Sequence, residues 1–317
     1  MLSSAWVHKQ SPPIRWSWTR CCLVMVNFGR ILTAMITPFT PEGKVDYPVA
    51  AELAKRLVEN GSDGLVITGT TGESPTLTTE EKLNLYATVV EAVGGKASVI
   101  AGTGNYSTAE SIKLTREAEQ TGIDGVLVVA PYYNKPPQEG LYRHFAAIAE
   151  STSLPLMVYN IPGRTGVNIT PDTMARLARI ENITAVKEAS GNLAQVAELA
   201  EKVADRMAIY SGDDALTLPM LALGAKGVVS VASHLAGRRM KSMIEAFIRG
   251  DVAEATRIHQ ELMPLFKVLF LTTNPIMVKA AVNLMGFRVG SVRLPLVDAT
   301  PEENAKLKEV LQKLGLI

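Results

Sequence analysis

Lys187 stands near the end of a short apolar segment, ITAVKEASGN (residues 183–192), where an ammonium group would be poorly solvated. An unperturbed lysine has a pKa of about 10.4, so only about one molecule in 2,500 carries the free amine at pH 7. Burial lowers that pKa and turns lysine into a nucleophile that forms Schiff bases with carbonyl compounds. The alternative is an ion pair with the neighbouring Glu188. The segment therefore predicts either a nucleophilic amine or a structural ion pair at the edge of a sheet.

Two further side chains with suitable chemistry lie in one segment, PLMVYNIPGRTG (residues 155–166). Tyr159 ends its apolar part, and a phenol beside Lys187 could carry protons to and from an adduct on the amine. A packed ring with a solvated hydroxyl is the alternative. Arg164 lies between two glycines and could bind a carboxylate through two parallel N–H groups, unless it is an ordinary surface arginine.

The segment GTTGE (residues 69–73) offers two hydroxyl groups between glycines, directly after a predicted strand. Glycine permits close approach of the backbone to a ligand. Thr70, Thr71 and the neighbouring N–H groups could therefore bind a carboxylate together. A tight turn in which the threonine hydroxyls form only local hydrogen bonds is the alternative.

The acidic pair Asp213–Asp214 follows a predicted strand in SGDD. These residues could cap the next helix or ligate the metal ion of a metal-dependent aldolase, and capping is the favoured interpretation. Acidic residues after the seventh strand also disfavour a phosphorylated substrate. The four histidines show no ligand spacing, so no metal site is expected.

The elements that must position these residues form a regular alternation from Ile31 onward. Most of the β-rich segments are nearly continuously apolar, which is typical of parallel strands covered on both faces. Eight such strands with helices between them predict a (β/α)8 TIM barrel of the α/β class. An open doubly wound sheet is the alternative, but no Gly-rich dinucleotide turn follows the first strand. The strands are predicted at 31–39, 64–69, 98–104, 125–131, 155–162, 183–190, 207–214 and 227–234.

The domain division follows from the same pattern. Residues 29–250 are predicted to form the barrel, and residues 251–317, with helical periodicity, a C-terminal helical layer. Residues 1–28 are predicted to be a non-core appendage, because both cysteines and all three tryptophans lie in the first 22 residues and no acidic residue precedes Glu42. Met25 is the expected start of translation, with a targeting peptide as the alternative.

Charge, hydrophobicity and cysteine content disfavour several classes of function. The formal net charge of +1 provides no field that would attract nucleic acid or anionic lipid. No segment of about 18 clean apolar residues predicts a transmembrane helix. The adjacent cysteines, Cys21 and Cys22, cannot supply a disulfide framework, so a cytoplasmic location is expected, with plastid import through the appendage as the alternative.

Catalytic residues of such barrels lie at the C-terminal ends of the strands and in the loops that follow. The motifs GTTGE, PYYN, YNIPGRTG, KEASG and SGDD all fall at those ends, in this order. Together they resemble the dihydrodipicolinate synthase family within the pyruvate-dependent class I aldolases, over about residues 29 to 316. The resemblance implies condensation of pyruvate with L-aspartate 4-semialdehyde on the diaminopimelate route to lysine.

The resemblance also implies residue roles. Lys187 would form the Schiff base with the keto carbon of pyruvate, so that no cofactor is needed. Its catalytic partners would be Tyr159, Thr70 and Tyr133, which relay protons. The substrate-binding residues would be Thr71, Val229 and Gly212, with Arg164 on the carboxylate of the semialdehyde.

Assembly and regulation follow from the same resemblance. Tyr133 would enter the active site of a neighbouring subunit, in a homotetramer built as a dimer of dimers. A possible effector site for L-lysine would include Ser74, Glu110 and Tyr132. Thr79 and Lys82 stand where sensitive bacterial relatives carry histidines.

Two alternatives for the reaction stay open at this point. One is another lyase of the same superfamily, such as an N-acetylneuraminate lyase, although the arginine of GRTG favours the synthase. The other is the metal-dependent aldolase built on Asp213 and Asp214.

Overall fold

A computed structural model of the protein describes residues 27–317. Its centre is a closed barrel of eight parallel strands, in which each strand pairs with the next and the first pairs with the eighth. This confirms the predicted (β/α)8 architecture. The strands are β1 Ile31–Ala34, β2 Gly64–Ile67, β3 Ser98–Gly102, β4 Gly125–Val129, β5 Leu156–Asn160, β6 Ile183–Glu188, β7 Ala208–Ser211 and β8 Gly227–Ser230.

Twelve α-helices and two short 3₁₀ turns, at Ser74–Thr76 and Ala204–Arg206, account for the other regular elements of residues 27–317. The helices of the barrel surround the strands, and the last three follow the eighth βα unit. The helices are α1 Tyr47–Glu59, α2 Thr79–Val93, α3 Thr108–Glu119, α4 Gln138–Glu150, α5 Pro162–Thr165, α6 Pro171–Leu177, α7 Leu193–Val203, α8 Thr217–Ala222, α9 Ser233–Ile248, α10 Val252–Val268, α11 Ile276–Leu284 and α12 Pro301–Lys313.

The apolar side chains form two buried layers, because successive residues of a strand face opposite sides of a sheet. The larger layer fills the space between the strands and the surrounding helices. The smaller one fills the barrel interior and consists of Phe28, Leu32, Ala34, Val66, Ile100, Leu127, Met157, Tyr159, Ala185, Ala208, Tyr210 and Val229. Burial on both faces explains why the strands are apolar throughout, as a parallel sheet requires.

The strands end earlier than their apolar segments. The first segment was expected to be a strand over 31–39, but β1 ends at Ala34; the Met35 N–H still donates to the Val66 carbonyl of β2 (3.0 Å), and Ile36 is buried beyond the strand. Side chains at the mouth of the barrel stay buried against neighbouring loops after the backbone has left the sheet. An apolar segment therefore indicates buried residues, and at the mouth of the barrel it is longer than the strand it contains.

Strand β6 carries a register shift that the sequence did not indicate. Ile183 pairs with Leu156, but the next pair is Met157 with Ala185, so one extra residue is accommodated in β6. Simple alternation would place Ile183 and Ala185 on one face of the strand. The shift instead turns Ile183 to the outer layer while Ala185 faces the barrel interior.

Local sequence signals begin several helices as expected. Thr78 and Glu81 form a capping box at the start of α2. Asn192 accepts a hydrogen bond from the Gln195 N–H at the start of α7 (3.1 Å).

The C-terminal helices cover one side of the barrel, with α10 against α9 and α12 against α10 and α11. The division of these helices from the barrel at residue 251 stays a prediction.

At the N-terminal boundary, Phe28 is buried in the barrel interior, where it contributes to the lining of a cavity of about 930 Å³ at the N-terminal end of the barrel. The core thus includes Phe28, which was assigned to the appendage. The rest of the appendage up to residue 26 lies outside the described residues.

Within residues 27–317, no helix is long and apolar enough to cross a membrane.

We expect Phe28→Ala to lower the free energy of unfolding by roughly 3–5 kcal/mol, the usual cost of truncating a fully buried phenylalanine. Removal of residues 1–24 should leave the melting temperature unchanged. Thermal unfolding of the two variants beside the full chain checks both statements. A clear drop in melting temperature after the deletion would show that the first 24 residues pack on the barrel.

Candidate active site

Lys187 lies at the mouth of the barrel, near the end of β6. Its strand neighbours are Tyr159 on β5 and Tyr210 on β7. The residue is only 6% exposed, and its Nζ lies 4.2 Å from the centre of the Tyr159 ring. The barrel therefore places the amine beside the phenol that the sequence singled out.

No carboxylate pairs with this amine in the part of the chain that the structure describes. The neighbouring Glu188 is used elsewhere, since its carboxylate accepts hydrogen bonds from the Ser190 N–H (2.7 Å) and from the Asn160 side chain (3.0 Å). Consecutive residues of a strand point to opposite faces, which keeps Glu188 away from the barrel interior. The ion-pair alternative for Lys187 is wrong.

Burial has the electrostatic effect that a nucleophilic lysine needs. It lowers the pKa of Lys187 to about 7, because the charged form loses its hydration. The Asp214 carboxylate opposes this by raising the pKa, and the Arg164 guanidinium adds to the lowering. Near neutral pH, about half of the molecules would carry the free amine.

Tyr159 is buried beside the lysine and remains a phenol at neutral pH. Burial raises its pKa to about 12, while the Arg164 guanidinium and a hydrogen bond with the Thr70 hydroxyl lower it. A neutral phenol can donate one hydrogen bond and accept another. Tyr159 and Thr70 can therefore pass protons between the amine and the loop after β2.

The loop after β2 carries Thr70, which is half-buried, and Thr71, which is buried. Gly72 permits close packing there, because a Cβ at this position would lie 3.0 Å from the Thr68 backbone and 3.1 Å from the Met35 carbonyl oxygen. The Thr71 hydroxyl accepts a hydrogen bond from the Asn274 side chain (2.9 Å). The turn-only alternative does not account for this long-range contact.

Arg164 lies in the four-residue helix α5 and is exposed at the rim. One of its terminal nitrogens donates a hydrogen bond to the backbone oxygen of Asn274 (3.3 Å). Asn274 therefore contacts both predicted carboxylate-binding residues, Thr71 and Arg164. Asn274 was not predicted from the sequence, although an asparagine directly before proline, within the predicted C-terminal helical layer, was a detectable signal.

Gly212 and Val229 complete the surroundings of the lysine. A Cβ at Gly212 would lie 2.7 Å from Ala189 Cβ and 3.1 Å from Lys187 Cε, so a glycine here leaves space for both side chains. Val229, on β8, faces the barrel interior and is buried.

The acidic pair after β7 is held by backbone amides. Asp213 accepts a hydrogen bond from the Ala215 N–H (2.8 Å). Asp214 accepts from the N–H groups of Val231 and Ala232, which directly precede α9. Asp214 therefore holds the backbone directly before α9, and the expectation that the acidic pair caps the next helix in the chain is wrong, since α8 has no side-chain cap. No group of residues in 27–317 has the arrangement of a metal site.

Tyr133 is the one predicted catalytic residue that the chain does not bring to Lys187 on its own. It is 91% exposed, and it has a left-handed backbone with φ of 70°. A non-glycine residue rarely adopts this conformation. Nearby, the Tyr132 ring meets the Tyr106 ring edge-on, with centroids 5.3 Å apart.

The predicted effector residues stand on three different elements. Ser74 begins the 3₁₀ turn after the threonine loop, and the exposed Glu110 lies in the first turn of α3. Tyr132 follows β4 and is half-buried. The fold by itself does not assign these residues a ligand.

Comparison with known proteins gives a consistent result. The Dihydrodipicolinate synthetase family matches residues 27–314. The 4-hydroxy-tetrahydrodipicolinate synthase of Desulforamulus reducens is 59% identical over 293 residues, covering 92% of this chain and 99% of that protein. The dihydrodipicolinate synthase of Bacillus anthracis superposes with a TM-score of 0.89 at 52% identity, covering 91% of this chain and 99% of that one. The enzyme of Cyanidioschyzon merolae, solved with lysine bound, gives a TM-score of 0.90 at 52% identity, covering 92% and 99%.

The pKa of Lys187 predicts how the reactivity of its amine depends on pH. The reactive form is deprotonated, so trapping by a keto acid and borohydride should rise about tenfold per pH unit below pH 7 and level off above pH 8. The measurement is the trapping rate of the Lys187 peptide at subsaturating pyruvate between pH 5 and pH 10. A midpoint near pH 10 would contradict the burial argument.

Proposed function

The chain belongs to the dihydrodipicolinate synthetase family, and from this premise we propose that it condenses pyruvate with L-aspartate 4-semialdehyde through a Schiff base on Lys187. The reaction is that of a 4-hydroxy-tetrahydrodipicolinate synthase, a lyase of lysine biosynthesis through diaminopimelate. The observation that carries this proposal is the buried Lys187 amine, which has no carboxylate partner among residues 27–317 and lies 4.2 Å from the centre of the Tyr159 ring.

The first half of the reaction activates pyruvate. The free amine attacks the keto carbon, and loss of water gives a protonated imine. This iminium withdraws electrons from the adjacent methyl group, so that one methyl proton can leave and an enamine forms. Because the iminium itself accepts the electron pair, the proposed mechanism requires no cofactor.

The second half joins the two substrates. The enamine carbon attacks the aldehyde carbon of the semialdehyde, and the new alkoxide takes up a proton. The amino group of the semialdehyde then attacks the imine carbon, which closes the ring and releases Lys187. Tyr159 and Thr70 are proposed to carry the protons of these steps, because the phenol lies beside the amine and the Thr70 hydroxyl lowers the pKa of that phenol.

Substrate binding is assigned to the rim residues. Thr71 and the neighbouring backbone of the loop would hold the carboxylate of pyruvate, with Val229 and Gly212 shaping the pocket around the lysine. Arg164 would bind the carboxylate of the semialdehyde. Its position at the rim suits a group that meets the second substrate as it enters.

We expect Lys187→Ala to abolish both borohydride trapping of pyruvate and synthase turnover, because no other described rim residue offers an amine beside Tyr159. The assay contains pyruvate, L-aspartate 4-semialdehyde and a coupled reductase, and sialic acid is offered separately. Turnover of the semialdehyde with none on sialic acid supports the synthase over an N-acetylneuraminate lyase. Substantial activity of the variant, or activity lost with EDTA and no adduct, would contradict the mechanism.

We further propose that Tyr133 completes the proton relay of a neighbouring subunit, within a dimer that pairs again to form a tetramer. The support is the exposure of this ring together with its constrained backbone. Holding a large aromatic ring in water in a strained conformation has no benefit within a single chain.

The cytoplasm is the proposed location of the protein.

A mixing experiment tests the crossing of Tyr133. Lys187→Ala lacks the amine but supplies Tyr133, whereas Tyr133→Phe supplies the amine and lacks the hydroxyl. If the two are nearly inactive alone, random reassembly into dimers should restore about a quarter of the active sites. The control mixes Lys187→Ala with Tyr159→Phe, which both act within one subunit and therefore should not complement. Equal recovery in the two mixtures would exclude the crossing.

Feedback by L-lysine is expected to be weak. Ser74, Glu110 and Tyr132 are retained as a possible effector site, and the relative from Cyanidioschyzon merolae was solved with lysine bound. Lys82, however, replaces a histidine of sensitive relatives, and two hydrated cations about 4 Å apart repel by about 1 kcal/mol. Initial rates against lysine concentration test this, with Lys82→His as the matched variant. Half-inhibition of the unaltered protein well below millimolar would contradict the expectation.

A further inference from the structure

The loop proposed to hold pyruvate is bounded by two residues with an unfavourable backbone. Thr68 and Glu73 both adopt the left-handed conformation, with φ of 52° and 56°. Such conformations are energetically unfavourable for residues other than glycine and persist only where surrounding contacts enforce them. At Thr68, the hydroxyl hydrogen-bonds to the Tyr86 hydroxyl (2.7 Å) and donates to the Gly102 carbonyl (3.2 Å).

The contacts at Glu73 come from the C-terminal part of the chain. Its carboxylate forms an ion pair with Lys279 of α11, with 2.7 Å between Oε1 and Nζ, and both side chains are almost fully buried. The second oxygen, Oε2, accepts a hydrogen bond from the Arg293 N–H (2.9 Å).

Lys279 is itself held in one position. Its Nζ donates to the Ser291 carbonyl (2.7 Å) and lies 4.0 Å from the centre of the Phe39 ring. A residue with a long flexible side chain is thereby fixed against the end of the threonine loop.

Asn274, five residues before Lys279, contacts the middle of the same loop. Its side-chain N–H group donates to the Thr71 hydroxyl oxygen. The hydroxyl that accepts this bond keeps its own hydrogen free, so it can donate to a carboxylate. The same segment also holds Arg164 through the Asn274 backbone oxygen.

We infer that Asn274 and the buried Glu73–Lys279 ion pair are positioning residues, through which the C-terminal helices hold the Thr70–Thr71 loop in the shape that binds the pyruvate carboxylate. This inference rests on the proposed function of that loop. A buried ion pair contributes little to stability compared with apolar residues of similar volume. Here its contacts converge on the Glu73 end of a substrate loop, where the backbone is left-handed, which gives the pair a geometric role.

The test uses two variants of the full chain, Asn274→Ala and Lys279→Met. Asn274→Ala removes one hydrogen bond and leaves no charge unpaired, so it should fold. We expect it to raise the pyruvate concentration for half-maximal trapping by about three- to tenfold, the range that one hydrogen bond supplies. Lys279→Met should raise it by tenfold or more, while kcat at saturating pyruvate falls less than the half-saturation constant rises.

Two controls separate positioning from general destabilisation. Phe28→Ala lowers stability at the other end of the barrel, and Lys241→Met breaks the ion pair of Lys241 with Asp63 there; neither should change the pyruvate half-saturation constant. If the unaltered protein is not trapped, the proposed function fails. If it is trapped and folded Asn274→Ala shows an unchanged half-saturation constant, only the positioning role is overturned, whether or not Lys279→Met folds.

Discussion

A charged side chain that leaves water must either pair with an opposite charge or shift its pKa towards the neutral form. Lys187 does the second, because its buried ammonium group loses its proton more easily. The end of β6 removes the amine from solvent, while the alternation of the strand sends the carboxylate that follows it in the chain, Glu188, to the other face. Burial then lowers the pKa of Lys187 to about 7. The reactivity of the amine is thus a consequence of the position of Lys187 near the end of β6, and the neighbouring groups are arranged around the amine.

Those neighbours are supplied by elements that are distant in the chain. Tyr159 comes from the adjacent strand β5, and the threonine loop follows β2. Gly212, which follows β7, leaves space for the lysine side chain. The barrel brings these together because the C-terminal ends of all eight strands open at one rim. The C-terminal helices then contribute from outside the barrel, since Asn274 and Lys279 both contact the threonine loop or its end.

The sequence analysis was most accurate where one local rule decided the outcome. Apolar segments identified all eight strands, and the motifs at their ends placed Lys187 beside Tyr159 on adjacent strands, as the pairing of β5 with β6 shows. It was less accurate where two elements interact. The extra residue in β6 depends on pairing with β5, and the role of Asp214 depends on amides that lie 17 and 18 residues away. No local pattern contains that information.

The sequence by itself determined the architecture and the type of chemistry, because hydrophobic periodicity fixes which faces are buried and a lone lysine in an apolar strand has few other uses. The tertiary structure decided how the site is held. Glu73 and Lys279 are 206 residues apart, and Asn274 reaches Thr71 across nearly the same separation. Whether such polar groups are paired depends on the distances between folded elements, and only the closed barrel with its C-terminal helices sets those distances.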